Sequence, residues 1–357
     1  MKIHKKRKKH MPKWLVGLLD LLLIGGILLT FAFFHHVFPA LQSQWARQEA
    51  QANQPQATIA PETTLPPETE APEVTAPATE VTTEPTEPDN RTEWQKKFAE
   101  HFTDEVVVTE NSYTSPEVSI TIDTVVIGEG YDKITYYVAD VYVASLENFK
   151  TYTAHGQMHY FDTQPATEMA QATNAILAIS GDFLTYQKSG FLLRNGEVYV
   201  ADRNYSICVL YPDGTMETHD RGSYNVEDIL AKNPVQVWSF GPVLLYENGQ
   251  PRDHYDISQA VGFPNPRSAI GYYEPGHYCF VIVDGRQEGH SKGMQIPELA
   301  KIFADLGCTA AYNLDGGGTA VMLFGGEIYS RQSNGGRDLG DILLITESGY
   351  SLQEGES

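Results

Sequence analysis

Cysteine is scarce in this chain: Cys208, Cys279 and Cys308 are the only three in 357 residues. Three are too few for a disulfide framework. Each lies in an apolar run, where a free thiol behaves as a small buried hydrophobe. One bridge plus one free thiol is the alternative, and the spacing assigns no pair. No Cys/His spacing matches a zinc site and no acidic run matches a calcium loop; no cofactor is expected, and metal dependence stays open. Basic residues are also few outside one segment. Seven of the 25 Lys and Arg fall in residues 1–13, and all 46 acids but Asp20 follow residue 34, leaving 18 bases against 45 acids, a formal balance of −27. That excludes nucleic acid as a partner, because phosphate neutralisation demands basic patches. A single phosphate in a local pocket stays compatible with it. Large apolar residues, finally, are almost absent from about 48 to 90, a stretch of Pro, Thr, Glu and Ala.

Trp14 to Phe34 carries Asp20 as its only charge. About twenty such residues suffice to cross a bilayer core as a helix. The basic segment before it predicts a cytoplasmic N-terminus, with everything after the span outside the cell. A cleaved signal peptide would have an apolar region of about 7–15 residues and a small-residue cleavage site. Phe38-Pro39-Ala40-Leu41-Gln42 is a poor one. The expected order is therefore a basic cytoplasmic tail over 1–13, a retained single-pass anchor over 14–38, and an extracellular linker over 39–91. About forty linker residues in polyproline geometry reach on the order of 130 Å. A globular body over 92–352 follows, long enough for a substantial core. Nothing in the sequence points to a protein partner.

Within the body, Val118 to Ile127 and Ile134 to Val143 are β-rich runs flanking a turn at Gly128–Lys133. Pro165 to Ala175 reads as a short helix and Ile176 to Ser180 as a buried strand. Asn195-Gly196, Asp213-Gly214 and Asn248-Gly249 each sit between apolar runs, the strongest short-range hairpin signal. His277 to Val283 reads as a strand, Ile296 to Leu306 as a helix opened by Pro297 and stopped by Gly307, and Thr309 to Leu314 as a second strand. Strand, helix, strand predicts a βαβ unit near 277–314 with parallel strands ending on one edge. The expected fold is α+β: one globular domain with a large mixed, mostly antiparallel sheet and few helices.

At that edge the apolar run ends in Asp315, and Gly316, Gly317 and Gly318 follow. Three glycines in a row suit a sharp turn or a close backbone approach, and their N–H groups can form an anion-binding concavity. Asp284 and Arg286 end the other strand and should share the crevice. A plain strand-to-strand turn is the simpler reading of the glycines, and a solvated face the simpler reading of each Arg.

Taken in order, six motifs form a recognisable series: Ala178-Ile179-Ser180-Gly181-Asp182-Phe183, Pro266-Arg267-Ser268-Ala269-Ile270-Gly271, Val283-Asp284-Gly285-Arg286, Ser291-Lys292-Gly293-Met294, Asn313-Leu314-Asp315-Gly316-Gly317-Gly318-Thr319 and Gly335-Gly336-Arg337. Over residues 176–345 the chain resembles the phosphodiester glycosidase family. Two departures stand out: Ser180 occupies a position more often Asn, and Asp338-Leu339 stand where Pro-Val often follows. Residues 92–171 resemble nothing we can place.

The resemblance implies hydrolysis of the bond between a sugar's anomeric carbon and a phosphodiester, on a sugar-phosphate diester or a cell-surface polysaccharide, since bacterial members are commonly exopolysaccharide-related. It implies Asp315 as the leading catalytic carboxylate, Asp182 as the second, and Asp284 as a group orienting sugar or Arg. Arg267, Arg286 and Arg337 are expected to clamp phosphate. Gly181, Ser291, Asn313, Gly316, Gly317, Gly318, Thr319 and Gly336 complete the expected substrate-binding set. A noncatalytic module binding wall polysaccharide or phosphosugar is the alternative; it would have lost the carboxylates, and all are present.

Overall fold

The computed structural model describes residues 89–183 and 189–349. The expected anchor and nearly all of the expected linker lie outside the described residues. Among those described, no helix is long and apolar enough to cross a membrane.

The first part of the chain gives α1 (Glu93–Lys97), β1 (Val107–Val108), β2 (Ser112–Thr114), β3 (Val118–Ile127), β4 (Ile134–Val143) and β5 (Phe149–Thr153). Helix α2 (Ala166–Ala172) and β6 (Leu177–Ser180) follow. The middle gives β7 (Phe191–Arg194), β8 (Glu197–Ala201), β9 (Ile207–Leu210), β10 (Met216–His219), α3 (Val226–Ala231), β11 (Gln236–Trp238) and α4 (Gln259–Gly262). The last part gives β12 (Arg267–Glu274), β13 (His277–Val283), α5 (Ile296–Asp305), β14 (Ala310–Asn313), β15 (Met322–Phe324), β16 (Glu327–Ile328) and β17 (Asp341–Ile345).

These strands form three sheets, ordered β1-β2-β3-β4-β13-β12-β14, β10-β9-β11-β7-β8 and β16-β15-β6-β17-β5. Every strand pairing among the described residues is antiparallel. The expected mixed sheet is corrected to three antiparallel ones. The strand–helix–strand unit is present with one change. Strands β13 and β14 both pair antiparallel with β12, so they run parallel to each other with β12 between them. Sequence periodicity reports strands but not their order across a sheet, and β12 precedes both in the chain. Strands β13 and β14 nevertheless end on the same edge. They stand about 10 Å apart, at two strand spacings.

The strands of this unit are apolar throughout because both their faces are covered. Tyr278, Phe280 and Ile282 of β13 enter a central core shared with Cys208, Leu210 and Trp238 of the second sheet and Leu177, Ile179 and Leu343 of the third. The alternate residues Cys279, Val281 and Val283 face α5, meeting Leu299, Ala300 and Phe303. Helix α5 begins with a capping box between Gln295 and Glu298 and has Pro297 in its first turn. It stops where Gly307 takes φ +85°, a conformation open to glycine at little cost. Each large side chain it buries stabilises by roughly 1.5–3 kcal/mol. Residues 92–171, unplaced by sequence, supply β3 and β4 beside β13, and β5 beside β17.

The Cys279 and Cys308 sulfurs lie 3.6 Å apart as free thiols, over Gly271 of β12. A Cβ at Gly271 would lie 2.6 Å from Phe303 Cδ1 and 2.7 and 2.8 Å from the two sulfurs. Gly271→Ala should therefore cost about 1–3 kcal/mol by overpacking. Urea unfolding of the variant reads this directly, and an unchanged midpoint would mean that these groups yield freely.

Candidate active site

The three sheets meet at a cluster of charged side chains. Asp315 follows β14 of the first sheet, Arg194 ends β7 of the second, and Asp182 follows β6 and Asp341 opens β17 of the third. The strand ends are joined directly: the Asp315 N–H donates to the Gly181 carbonyl at 2.9 Å, and the Gly181 N–H to the Asp341 carbonyl at 3.1 Å. Gly181 is glycine because a Cβ would lie 2.2 Å from Asp341 Oδ1.

Arg194 is fully buried between two carboxylates. Its Nη2 lies 2.7 Å from Asp182 Oδ2 and 2.9 Å from Asp341 Oδ2, and its Nε donates to Asp341 Oδ2 at 3.0 Å. Nη1 donates to the Leu193 and Val237 carbonyls, and the Ser239 N–H donates to Asp182 Oδ2. Burial alone would depress the guanidinium's pKa, but the two carboxylates raise it. Burial pushes Asp341 up to about 8 against the pull of Arg194, with Asp182 adding to the rise. A carboxyl that keeps its proton relieves the excess negative charge of two acids on one base.

Asp315 faces a crevice lined also by Ser180, Asp182, Phe183, Thr319 and Arg337. Arg337 Nη2 donates to Asp315 Oδ2 at 3.0 Å, from a side chain half exposed to solvent. The same guanidinium lies 5.9 Å from the Phe183 ring centroid, within cation–π range. Burial raises Asp315 to about 6, and Arg337 and Thr319 hold it from rising further. Asp315 is thus a mostly ionised but poorly solvated carboxylate at neutral pH, the state a nucleophile or general base needs.

The three glycines beside it behave as the sequence suggests for a sharp turn. Gly317 takes φ +68°. A Cβ at Gly316 would lie 2.5 Å from the Pro266 carbonyl oxygen, and one at Gly317 would lie 3.2 Å from Arg286 Nη2. The exposed Arg286 guanidinium, anchored on Asn265 Oδ1, lies over one side of the turn. Arg337, its Cβ 3.5 Å from a Cβ built on Gly318, lies beside the other. Two cations therefore flank a glycine turn next to one carboxylate.

Other expected residues are engaged elsewhere. Arg267 is buried, donating from Nε to the Met294 carbonyl and from Nη2 to those of Val261 and Phe263. Burial and nearby Arg286 lower it to about 10, so it stays charged as a brace for the 261–263 loop, not as an open phosphate clamp. Asp284 does not line the crevice. Its carboxylate accepts from Tyr137 Oη at 2.9 Å and the Arg331 N–H at 3.0 Å, and pairs with His290 Nε2 at 2.6 Å. In this arrangement it holds the Arg331 backbone, the Tyr137 hydroxyl and His290. Ser291 Oγ donates to the Asp284 carbonyl, and Asn313 Nδ2 to the Gly241 carbonyl. Gly336, at φ +83°, holds a backbone conformation that residues with a Cβ rarely adopt. Thr319 Oγ1 donates to the Gly316 carbonyl while lining the crevice.

Sequence reasoning missed Arg194 and Asp341. The signal was present but faint. Each is a charge abutting a buried apolar run, Phe191-Leu192-Leu193 before Arg194 and Ile342-Leu343-Leu344-Ile345 after Asp341, and a buried charge needs a partner.

Three antiparallel sheets thus converge on carboxylates beside a cation-flanked glycine turn. Residues 173–346 match the family model of phosphodiester glycosidases, and this segment is similar to that family. A SPbeta prophage-derived uncharacterized protein of Bacillus subtilis (strain 168), YomE, is 27% identical over 199 residues, 52% of this chain and 31% of its own. The N-acetylglucosamine-1-phosphodiester alpha-N-acetylglucosaminidase of Bos taurus is 27% identical over 136 residues, 34% of this chain and 25% of the bovine protein. The chain thus spans less than a third of the length of either curated relative. Among solved structures, the catalytic domain of the zebrafish enzyme of that name, auto-inhibited by its pro-peptide, superposes with a TM-score of 0.55 at 22% identity, covering 68% of this chain and 88% of that one. A hypothetical protein from Synechocystis superposes at 0.50 and 14% identity, covering 65% and 62%. These two establish likeness of fold.

Proposed function

We propose that this chain is a membrane-anchored, extracytoplasmic hydrolase that cleaves the bond between a sugar's anomeric carbon and a phosphodiester on cell-surface glycosyl phosphates. The observation that carries the reading is Asp315, ionised in a poorly solvated crevice beside two guanidinium groups and a glycine turn. The anchor rests on the apolar run over residues 14–38 and the basic residues before it. Protease added to intact cells should remove the body and leave a membrane-retained stub; full protection of the body would sink that placement.

In the reaction the anomeric C–O bond breaks and the oxygen leaves with the phosphate. A phosphomonoester has a second pKa of about 6, against roughly 15.7 for water, so the leaving group needs little protonation. Charge neutralisation matters more, and Arg286, Arg337 and the glycine N–H groups are placed to supply it. Asp315 then acts on the sugar side, as nucleophile at the anomeric carbon or as base for water.

The pH dependence follows. Asp315 must be ionised, so kcat/KM should fall about tenfold per unit below pH 6. Arg337 favours the ionised form, so Arg337→Ala should raise KM and shift this acid limb to higher pH. A raised KM with an unmoved limb would show that the ion pair does not tune Asp315.

The direct test incubates the full chain with an N-acetylglucosamine-1-phosphodiester and with glycosyl-phosphate polymers, following released sugar and phosphomonoester. Release supports hydrolysis. Binding of the same compounds without release would replace the reading with that of a binding module.

A further inference from the structure

The crevice shares Phe183 with a much larger cavity of about 920 Å³, lined also by the aromatic residues Tyr205, Phe240 and Tyr255. Its volume is near the top of the roughly 300–1,000 Å³ usual for small-molecule sites, more than one sugar ring fills. Among these rings stand exposed polar side chains, Arg221 and His254. The acids and bases offset each other: Arg252 Nη1 donates to Asp220 Oδ2 at 2.6 Å, and Asp256 and Arg221 cancel in formal charge. Such a lining is too polar for a lipid tail and carries no net positive field for a polyanion.

The walls are held in place. The buried Tyr224 hydroxyl donates to the Tyr205 carbonyl, the Phe240 N–H donates to the buried Tyr312 hydroxyl, and the Tyr255 hydroxyl donates to the Leu244 carbonyl. Asn313, on β14 two residues before Asp315, ties the same loop to the active site through the Gly241 carbonyl. A wall whose backbone is fixed before binding loses little freedom when a ligand arrives. Aromatic faces pack on the C–H faces of pyranose rings, while amide, guanidinium and imidazole groups hydrogen-bond to hydroxyls.

We infer that this cavity is a glycan subsite that takes several uncharged sugar units, so that the substrate is an oligosaccharide or polymer and not a single glycosyl phosphate. The inference rests on the hydrolase reading for its link to the reacting bond, but the binding itself is separately measurable.

Isothermal titration of the full chain carrying Asp315→Asn, in detergent, with maltotetraose, cellotetraose and chitotetraose tests it, each against its monosaccharide. At least one tetrasaccharide should bind ten times more tightly than its monosaccharide. Adding Tyr205→Ala should weaken that binding by about tenfold, the order expected for one lost ring contact with its buried area, and Arg221→Ala should weaken it too. Tyr131→Ala, which removes a ring 81% exposed at the far end of the β3–β4 hairpin, should leave it unchanged. If no tetrasaccharide outbinds its monosaccharide, or if Tyr205→Ala and Arg221→Ala both bind as the parent does, the subsite is overturned. Tyr205-dependent binding in a chain that cleaves no glycosyl phosphodiester keeps the subsite and removes the hydrolase reading. Cleavage without tetrasaccharide binding does the reverse.

Discussion

Asp315→Asn should lower kcat/KM on a glycosyl phosphodiester by about 10³-fold or more, the scale at which a positioned proton-transfer or nucleophilic group acts, and leave the fold intact. Asparagine keeps the shape and can still meet Thr319 and Arg337, but it supplies neither negative charge nor a basic oxygen. Stability should hold because the lost partner, Arg337, is half exposed, and ion pairs of that kind contribute little. The change also removes the repulsion between Asp315 and Asp182 that helps raise the pKa of Asp315. Steady-state kinetics beside a thermal melt checks both halves. Full activity in the variant would remove Asp315 from the chemistry. Asp284→Asn is the informative contrast: Asp284 accepts the Arg331 N–H and the Tyr137 hydroxyl, so its loss should act first on stability.

Arg194→Ala should be the most destabilising single change in the site, by about 3–5 kcal/mol, as for breaking a buried ion pair from one side. It strands two carboxylates that are both wholly shielded from solvent. Lysine should not restore the loss, because one ammonium cannot present the planar fork that reaches both acids. The pH dependence has a definite sign. Without the cation, the folded-state pKa of Asp341 rises further above the unfolded value of about 3.9. Stability is then retained at low pH, where both states are protonated, and is lost as pH rises from the unfolded value through the folded one. Asp341 already sits near 8 in the parent, so its share of the fall in denaturation midpoint should end near pH 8 in the parent and continue to about pH 9 or above in the variant. A variant midpoint that levels off at the same pH as the parent's would mean that Arg194 does not hold the Asp341 pKa down. Urea titrations across that range decide it.

Much of the local architecture could be read directly. Strands β3, β4 and β13 occupy the same residues as the apolar and alternating runs that announced them. Helix α5 lies between its capping box and Gly307, and the Asn195-Gly196 and Asp213-Gly214 turns close hairpins. Asn248-Gly249 closes only a turn with one isolated bridge, Leu245 to Pro251, because Pro251 has no N–H to extend a ladder. Motif spacing placed Asp315 and its glycines correctly at a strand end, since β14 and its turn are consecutive in the chain.

What was not legible is long-range. Arg194 meets Asp341 across 147 positions of sequence, and no periodicity encodes such a meeting. Arg267 and Arg337 look equivalent as motif arginines, yet one is drawn under the 261–263 loop by three carbonyls and the other stands half in solvent beside Asp315. Burial, not identity, separates a bracing guanidinium from one available to a phosphate.

By itself the sequence determined what neighbouring residues can decide: the periodicity of each element, the caps and turns that end it, the excess of acid, and the strand-end carboxylate followed by glycines. Tertiary structure alone decided the insertion of β12 between β13 and β14, the meeting of three sheets, and the sharing of one buried guanidinium by two carboxylates. The physical reason is that desolvation and charge pairing act through distances in space. They become defined only once distant segments pack together, and they then set which acid keeps its proton and which faces the crevice ionised.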